Sequence, residues 1–343
     1  MKLLHVTKTI NGKADGVDNV VNSLSEHQNS IGNNCSDIFD INNHSIFAFH
    51  KVSADIDLFL FHRVFNIYSW ICILICLLKN KPYVIVPHSS FSKASQSKSK
   101  IKKKLVRFLF HDFMMRKALC IQYLSESELN DSYLKHHRQI IIPNGVDTLV
   151  DYYKSNTENI PYISFLARYD IHHKGIDLLL DAISQSCDLI RSQGFKFIFH
   201  GSDPSGQQVF QLESMSSKLG IEDLVSFYGP IFGKEKYRFL ANSSAYILTS
   251  RYEGMPLTVL EALFQNTTCL VTNSTNMSHI IEPNGFGMSC ETNTKDISFM
   301  IENFIKSKDL ITDSRSFIRE NYSWNRIALD SVATYKRFLE ITK

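Results

Sequence analysis

The sequence has seven cysteines but no C-x-x-C pair, and their number is odd. Cysteines scattered in this way exclude a disulfide framework and the common zinc sites, and they indicate reduced thiols in a cytosolic protein. Residues 1–7 run directly into a short strand pattern, without a signal-peptide apolar segment or a small-residue cleavage site. We therefore expect a cytoplasmic protein.

Long hydrophobic runs and a strong net charge are missing as well. The longest uncharged apolar run covers residues 64–78, which is short for a membrane span and predicts a buried helix. A net charge of +3 does not by itself indicate a nucleic-acid partner. The 44% hydrophobic and 21% charged residues are typical of a soluble globular protein, and 343 residues suffice for two domains.

Strand and helix patterns alternate in two series, one over residues 1–150 and one over residues 160–325. Between them, residues 151–161 are polar and end at a proline, which is typical of a linker. The alternation predicts an α/β fold with parallel sheets, whose functional loops follow the carboxyl ends of the strands. The predicted domains cover residues 1–155, residues 156–325 and, as a C-terminal helix, residues 326–343.

The most informative stretch, residues 250–263, is typical of a strand end, a tight turn and a helix start. Gly254 permits a sharp reversal, and Pro256 suits the first helical position because its missing N–H would be unpaired there anyway. Glu253 should therefore lie in a loop and Glu261 on the helix.

The start of this helix predicts an anion site. Amide groups and a partial positive charge gather at a helix N-terminus, which suits a diphosphate. Glu253 and Glu261 would flank it, about 12 Å apart if the stretch were all helical. A carboxylate accepts hydrogen bonds from sugar hydroxyls, each worth roughly 1.5–3 kcal/mol. The alternative is an ordinary amphipathic helix with two solvated glutamates.

The E-x7-E spacing inside E-G-M-P-L-x-x-L-E-A resembles the signature of the family-four retaining glycosyltransferases. The resemblance implies the GT-B fold, with two Rossmann-like domains facing a central cleft and the last helix packed on the first domain. It also implies that Glu253 lies by the donor sugar and that Glu261 binds the ribose of the nucleotide. The donor-binding residues implied around the turn are Gly254, Met255, Pro256, Leu257 and Thr258.

A second block supports the resemblance. Arg168 and Lys174 bracket a loop similar to the family's G-R-x(5)-K-G-x-x-x-L, with Ala167 in place of the usual glycine. Two fixed cations at a strand end can neutralise a diphosphate leaving group, which is the main task when a nucleotide departs. Solvated surface cations are the alternative.

Four further positions are implied only by resemblance. His88 follows a strand in a P-H-S-S segment similar to the family's P-H-G, where the histidine reaches the donor sugar and can donate without ionising. Gly16 matches a loop under the donor phosphates, although Asp15 replaces its neighbouring glycine. Gly201 and Gly229 resemble a turn and the loop that cups the base.

Two positions depart from the family pattern. Asn266 stands where most relatives have a glycine, and His279 lies in a segment where they have a glutamate. Both changes are expected near the donor sugar.

A metal site is considered and not expected. Asp55 and Asp57 form a D-x-D tripeptide, which binds a metal in GT-A glycosyltransferases, but here it opens a strand instead of ending one. The adjacent pairs beginning at His136 and His172 lack the one-face spacing of a metal site and should be exposed. No free general base is identifiable, and the family is understood to retain configuration, with the leaving phosphate taking the acceptor proton.

Residues 93–115 combine a basic run with apolar and aromatic residues. Such a helix suits the anionic inner face of a membrane, and a solvated helix face is the alternative. Nucleic acid is not expected, because one local cluster without stacking aromatics is weak support. The basic residues are Lys93, Lys98, Lys100, Lys102, Lys103, Lys104 and Arg107.

The leading functional hypothesis is a retaining, metal-independent hexosyltransferase. It would use a nucleotide-diphosphate sugar, with no other cofactor, and a glycan acceptor, plausibly lipid-linked, in bacterial O-antigen, capsule or lipopolysaccharide synthesis. Two alternatives stay open: a sugar-nucleotide epimerase of the same architecture, and a catalytically silent, membrane-attached protein that binds nucleotide.

Overall fold

The computed structural model describes residues 1–9, 16–92, 112–134, 136–148, 152, 160–307 and 313–341. The chain divides into two compact units. One unit is Met1–Gly145 together with Tyr322–Lys343, and the other is Val146–Asn321. The first unit thus ends ahead of the predicted boundary at residue 155, and the predicted linker falls almost wholly outside the described residues.

The described elements alternate between strand and helix along most of the chain. The strands are β1 (Lys2–Thr7), β2 (Cys35–Asp40), β3 (Leu58–His62), β4 (Tyr83–Val86), β5 (Cys120–Tyr123), β6 (Gln139–Ile141), β7 (Tyr162–Leu166), β8 (Lys196–His200), β9 (Val225–Tyr228), β10 (Ala245–Leu248), β11 (Cys269–Thr272) and β12 (Gly287–Cys290). The helices are α1 (Gly16–Asn29), α2 (Ile46–Val52), α3 (Ile67–Leu78), α4 (Asp112–Arg116), α5 (Glu126–Asp131), α6 (Ile176–Gln185), α7 (Cys187–Ser192), α8 (Gln208–Lys218), α9 (Gly233–Asn242), α10 (Leu257–Phe264), α11 (Ser278–Ile281), α12 (Thr294–Ser307), α13 (Ser314–Tyr322) and α14 (Trp324–Ile341).

Each unit contains one six-stranded sheet. The orders are β2-β1-β3-β4-β5-β6 and β12-β11-β10-β7-β8-β9, and every neighbouring pair is parallel. The predicted α/β class with two parallel sheets is confirmed. Because all strands of a sheet run the same way, the loops that follow them gather at one edge.

The core of the first unit is rich in aromatic side chains. Phe59 and Phe61 of β3 are fully buried and pack with Phe49 of α2, and the Phe61 ring meets Tyr83 edge-on at 5.9 Å. A central parallel strand is covered on both faces, which is why β3 reads as an almost continuous apolar run.

Helix α3 corresponds to the predicted helix at residues 64–78, and the Asn66 side chain caps it by accepting from Ser69 N at 2.9 Å. The prediction that this helix is buried is wrong for one face. Ile67, Leu74 and Leu78 are 57%, 45% and 76% exposed. Among the helices that the structure describes, none combines the length and apolar composition that a membrane crossing requires.

The C-terminal helix α14 belongs to the first unit and packs against α1. Gln28 Nε2 donates to Ser331 Oγ at 2.9 Å, and the Tyr335 hydroxyl donates to Gln122 of β5. Gly145 lies under the Trp324 ring, where an added Cβ would come within 2.6 Å of two ring carbons. Gly145 therefore has a packing reason to be glycine.

Candidate functional site

In the second unit, the loops that follow β7 and β10 lie side by side, because these two strands are neighbours in the sheet. Gly175 has φ +62°, and an added Cβ would stand 2.1 Å from Thr249 O. The Thr249 hydroxyl donates to Gly175 O at 3.0 Å. Only glycine allows so close a contact with this backbone geometry, and the contact fixes the two loops together.

This contact brings Lys174 to Glu253. Lys174 Nζ lies 2.5 Å from Glu253 Oε1, and the two side chains are only 15% and 13% exposed. The Ser250 hydroxyl donates to the same carboxylate oxygen at 2.7 Å. Two of the predicted residues, far apart in the sequence, thus form a mostly buried ion pair at the carboxyl edge of the sheet.

The charge of Glu253 follows from its neighbours. Burial acts to raise the pKa of Glu253, but Lys174, His173 and the Ser250 hydroxyl outweigh it and hold the pKa below its ordinary value. Glu253 is therefore ionised at neutral pH. A carboxylate kept ionised in a poorly solvated place can stabilise positive charge that develops on a nearby ligand.

His173 also belongs to this site, and the prediction that it is exposed is wrong. Its ring stacks on Tyr252 at 4.1 Å, and its Nε2 lies 2.9 Å from Tyr252 O. Burial lowers the pKa of His173, against the field of Glu253. His136, of the other predicted pair, is likewise buried, with its ring nitrogens near the carbonyls of Arg116 and Arg138.

The backbone around Glu253 is held by residues that sequence reasoning missed. Glu253 N donates to Ser274 O at 2.9 Å, and Asn276 Nδ2 donates to Glu253 O at 2.6 Å. Arg251 forms two hydrogen bonds of 2.7 Å with the carboxylate of Asp177 on α6. These contacts fasten the loop that carries Glu253 to the segment after β11 and to α6.

Glu261 has a different partner and a different charge balance. Its Oε1 lies 2.7 Å from Nζ of Lys236 on α9, a residue that the sequence did not single out. Burial raises the pKa of Glu261, with Lys236 offsetting part of the shift and Asp147 adding to it. The two glutamates of the E-x7-E pair are thus held by separate lysines and have pKa values shifted in opposite directions.

The turn before α10 differs by one residue from the prediction. Pro256 is the N-cap, with extended backbone, and Leu257 is the first helical residue, so Pro256 at the first helical position is wrong. Met255 and Pro256 are buried, while Leu257 and Thr258 are half-buried, and the Thr258 hydroxyl lies 2.7 Å from Tyr246 Oη. Among the described residues no side chain caps this helix and no acidic residue lies in its first turn. This end is suited to an anion.

Arg168 lies on the same loop as Lys174 but is not bound to Glu253. Its guanidinium is 3.7 Å from Asp170, and its side chain is 47% exposed. Gly201, at the end of β8, lies against this loop, where an added Cβ would be 2.2 Å from Ala167 O. Gly201 therefore has a packing reason to be glycine.

Gly229 follows β9 in open space, and its carbonyl oxygen lies 2.8 Å from His200 Nδ1. The His200 ring stacks with Tyr228 at 5.2 Å. Tyr228 and Phe232 are 51% and 74% exposed, so flat aromatic surfaces flank the glycine. Such surfaces can stack on a nucleotide base.

His88 and Gly16 belong to the first unit. Gly16 is exposed and begins α1. His88 follows β4 with φ +46°, which is uncommon for a residue other than glycine. Its Nε2 lies 2.8 Å from Nδ1 of His62, at the end of β3. His88 is thus at the carboxyl edge of the first sheet, where the functional loops of this architecture are expected.

A match to a family model shows which family the chain belongs to. The model of the family described as glycosyl transferases group 1 matches residues 153–324. The chain belongs to this family. The predicted resemblance to group 1 glycosyltransferases is confirmed.

Relatives and solved structures agree with this assignment. The chain is 22% identical to MMP alpha-(1->4)-mannosyltransferase of Mycolicibacterium hassiacum, over 64% of this chain and 53% of that protein. It spans about half the length of the curated relatives that it matches. Sucrose-phosphate synthase from Thermosynechococcus elongatus superposes with TM-score 0.79, 16% identity and 99% coverage of both chains. Anabaena Alr3699/HepE in complex with UDP gives TM-score 0.78, 15% identity and coverage of 98% and 100%. The fold is therefore GT-B.

The departure from the family pattern at Asn266 has a structural cause. Asn266 follows the end of α10 with φ +57°, a conformation in which glycine is usual and asparagine is tolerated. Its Oδ1 accepts from Arg315 N at 2.8 Å. An eight-residue helix is about 12 Å long, so Asn266 lies well away from the α10 N-terminus. The structure thus gives Asn266 a role at the end of the helix, and its predicted place near the donor sugar stays a prediction.

The D-x-D tripeptide lies at the amino end of β3. Asp57 Oδ2 accepts from Lys2 N at 2.8 Å. The amino ends of parallel strands lie opposite the loop edge that carries His88, so this tripeptide has a structural role. Among the described residues, no group of three or more His, Cys, Asp or Glu side chains is placed to hold a metal ion.

Proposed function

We propose that this protein is a retaining glycosyltransferase that moves a hexose from a nucleotide-diphosphate donor to a glycan hydroxyl. The observation that carries the proposal is the Lys174–Glu253 ion pair, with Ser250, directly before the N-terminus of α10. A cation, a helix N-terminus and an ionised carboxylate suit a reaction in which a diphosphate leaves and positive charge develops on a sugar.

Each residue of the site has a separate role in the proposed reaction. Lys174, Arg168 and the α10 amides hold the diphosphate and stabilise its negative charge as the glycosidic bond breaks. Glu253 orients the sugar and stabilises positive charge at the anomeric carbon. The departing phosphate oxygen takes the proton of the acceptor hydroxyl on the same face. Glu261 then binds the ribose, held by Lys236, and takes no part in bond breaking.

The donor nucleotide has support from the structural likeness to Anabaena Alr3699/HepE, which was solved in complex with UDP. The exposed Tyr228 and Phe232 beside Gly229 suit stacking on its base. We propose no metal in the reaction, because Lys174, Arg168 and the helix N-terminus supply positive charge for the diphosphate.

The acceptor that we propose is a lipid-linked glycan of bacterial envelope polysaccharide synthesis, such as O-antigen, capsule or lipopolysaccharide. The protein would then work at the inner face of the cytoplasmic membrane. The basic residues from Lys93 to Arg107 lie outside the described residues, but Phe113 of α4 is 58% exposed and α3 exposes Ile67, Leu74 and Leu78. Exposed apolar side chains suit contact with a lipid surface, and a basic segment suits one that is anionic.

The function is tested by incubating the purified protein with a panel of nucleotide-sugars and lipid-linked glycans in excess EDTA. We expect the acceptor mass to rise by one hexose, with the anomeric configuration of the donor kept in the product. A donor epimerised without acceptor would indicate the epimerase, and nucleotide binding without turnover would indicate the silent binding protein. Activity that vanishes in EDTA and returns with manganese would contradict metal-independent chemistry.

Membrane binding is tested by replacing Lys102, Lys103 and Lys104 with glutamate, which reverses their charge. Each lysine near an anionic surface contributes about 1 kcal/mol, so binding to phosphatidylserine vesicles should weaken by about 100-fold or more. The matched control reverses three exposed lysines elsewhere, Lys218, Lys295 and Lys336. Vesicle sedimentation should show the control still bound. Equal loss in both variants would contradict a specific basic face.

A further inference from the structure

A continuous run of hydrogen bonds crosses the interior of the first unit, from α14 to His88. Ser331 Oγ lies 2.9 Å from Gln28 Nε2, and Gln28 Oε1 lies 2.9 Å from His5 Nε2. His5 Nδ1 lies 3.0 Å from His62 Nε2, and His62 Nδ1 lies 2.8 Å from His88 Nε2. The first four side chains are at most 1% exposed, and His88 is half-buried. We name these five residues the histidine string.

The register of the first sheet produces the string. His5 of β1 pairs with Leu60 of β3, and His62 lies two residues farther along the same strand. His62 in turn pairs with Val86 of β4, and His88 lies two residues beyond it. Residues two apart on a strand share a face, so His5 and His62 step diagonally from β1 to β3 toward the loop edge. His88 meets His62 there from the segment that follows β4.

A backbone carbonyl of α14 sets the direction of these hydrogen bonds. The Ser331 hydroxyl donates to Ala328 O at 2.8 Å, and a carbonyl can only accept. The single hydroxyl hydrogen is therefore used, and Ser331 Oγ must accept from the Gln28 amide nitrogen. The other end of the amide, Oε1, then faces His5 Nε2 and also accepts from the Ser36 hydroxyl at 2.9 Å. His5 must therefore carry its hydrogen on Nε2.

The two buried histidines transmit this direction because they are neutral. Burial lowers the pKa of His5 to about 4 and lowers the pKa of His62 well below its ordinary value. A neutral imidazole has one N–H. With its hydrogen on Nε2, His5 accepts at Nδ1 from His62 Nε2–H. His62 then accepts at Nδ1, and the hydrogen in the last link belongs to His88 Nε2.

We propose that Ser331 and Gln28 are positioning residues that fix the ring orientation and tautomer of His88, acting through His5 and His62. In the neutral ring the hydrogen of His88 is committed to His62 at Nε2. Any hydrogen bond that Nδ1 then makes is one in which Nδ1 accepts, so a ligand group that meets it there must be a donor such as a sugar hydroxyl. This reverses the expectation that a neutral His88 donates to the sugar. The role of that hydroxyl rests on the proposed glycosyltransferase function, whereas the tautomer does not.

The direct test is nitrogen NMR on protein labelled with ¹⁵N-histidine, in which protonated and bare ring nitrogens of a neutral imidazole have well-separated shifts. We expect His5, His62 and His88 all to carry hydrogen on Nε2 at neutral pH. A His88 ring with its hydrogen on Nδ1 in the unmodified protein would overturn the proposal without any variant.

Ser331→Ala removes the group that orients the Gln28 amide, so we expect His88 to show a population protonated at Nδ1. Transfer measured as kcat/KM should fall by about 10–100-fold, the range typical when a group that orients a functional histidine through its second nitrogen is removed from a metal centre. Ser331→Thr keeps a hydroxyl and should restore both signals. An unchanged His88 tautomer in Ser331→Ala would overturn the proposal.

Ser25→Ala is the matched control, because Ser25 is a buried serine of α1 whose hydroxyl donates to Ser36 O at 2.9 Å and lies outside the histidine string. It should leave the His88 tautomer and kcat/KM unchanged. If it shifted the tautomer as Ser331→Ala does, general loosening of the unit would explain the effect and the proposal would fail. A protein with the expected tautomer but no transferase activity would refute the proposed function and leave the histidine string intact.

Discussion

Replacing Lys174 with methionine should lower transferase activity by about 10²–10³-fold. That range is typical when one preorganised donor to a developing negative charge is lost, and Lys174 is the cation paired with Glu253, four residues before α10 begins. Methionine keeps most of the side-chain volume, so the loss would report the charge. Steady-state kinetics with saturating donor separates the effect on kcat from weaker donor binding.

The same variant should change how stability depends on pH. In the wild type the pKa of Glu253 is below its ordinary value of 4.5, so its contribution to stability is present above about pH 4.5 and is lost as pH falls through the folded pKa. Without Lys174, the remaining neighbours no longer outweigh burial, so the pKa of Glu253 should rise. The variant should therefore be less stable at neutral pH, by about 3–5 kcal/mol, and should regain stability on acidification toward about pH 5.

A double variant separates folding from catalysis. Lys174→Met with Glu253→Gln removes both charges, so urea unfolding should show much of the lost stability restored while activity stays low. The control is Lys306→Met, because Lys306 pairs with Glu302 at 2.9 Å on an exposed face of α12. Exposed ion pairs contribute about 0–1 kcal/mol, so this variant should lose no more stability than that. Full activity in Lys174→Met would contradict the role given to this lysine.

Gly175→Ala should be the most disruptive single-methyl substitution near the site. Alanine at φ +62° costs about 1–2 kcal/mol, and its Cβ would stand 2.1 Å from Thr249 O, an overlap that must move backbone. Overpacking of this kind typically adds about 1–3 kcal/mol. We expect the free energy of unfolding to fall by about 2–5 kcal/mol, with activity lost because Lys174 shifts away from Glu253.

Gly220→Ala is a close control for the cost of placing alanine at a positive φ. Gly220 has φ +65°, nearly the same as Gly175, but an added Cβ meets nothing within 4 Å. Urea unfolding should therefore give about 1–2 kcal/mol for Gly220→Ala. Equal losses in the two variants would show that the contact with Thr249 contributes nothing beyond the strain at φ.

Much of the second unit could be predicted because its signals are local. The sequence around Gly254 and Pro256 predicts a turn and a helix start, and α10 begins within one residue of that prediction. The fold class could be predicted for the same reason, since alternating strands and helices lead to parallel sheets. Lys174 was found through a motif spacing, although its pairing with Glu253 depends on β7 and β10 being neighbours.

The missed residues depend on contacts that no spacing encodes. Lys236 reaches Glu261 from α9, and Asn276 reaches the Glu253 carbonyl from the segment after β11. The histidine string depends on the register of β1, β3 and β4, which a sequence without coordinates does not supply. Asn266 meets a backbone requirement at a helix end, which depends on its φ of +57° and so could not be predicted from the motif.

The first unit is assembled from two pieces of chain, since α14 supplies Ser331 and Tyr335 to an interior otherwise formed by residues before Gly145. During synthesis, all of the second unit, Val146–Asn321, is made before α14. The first unit is therefore completed only after the second unit has been synthesised. The face of α1 that packs against α14 stays uncovered until α14 has been made. A fragment truncated near residue 145 would keep that unprotected face permanently.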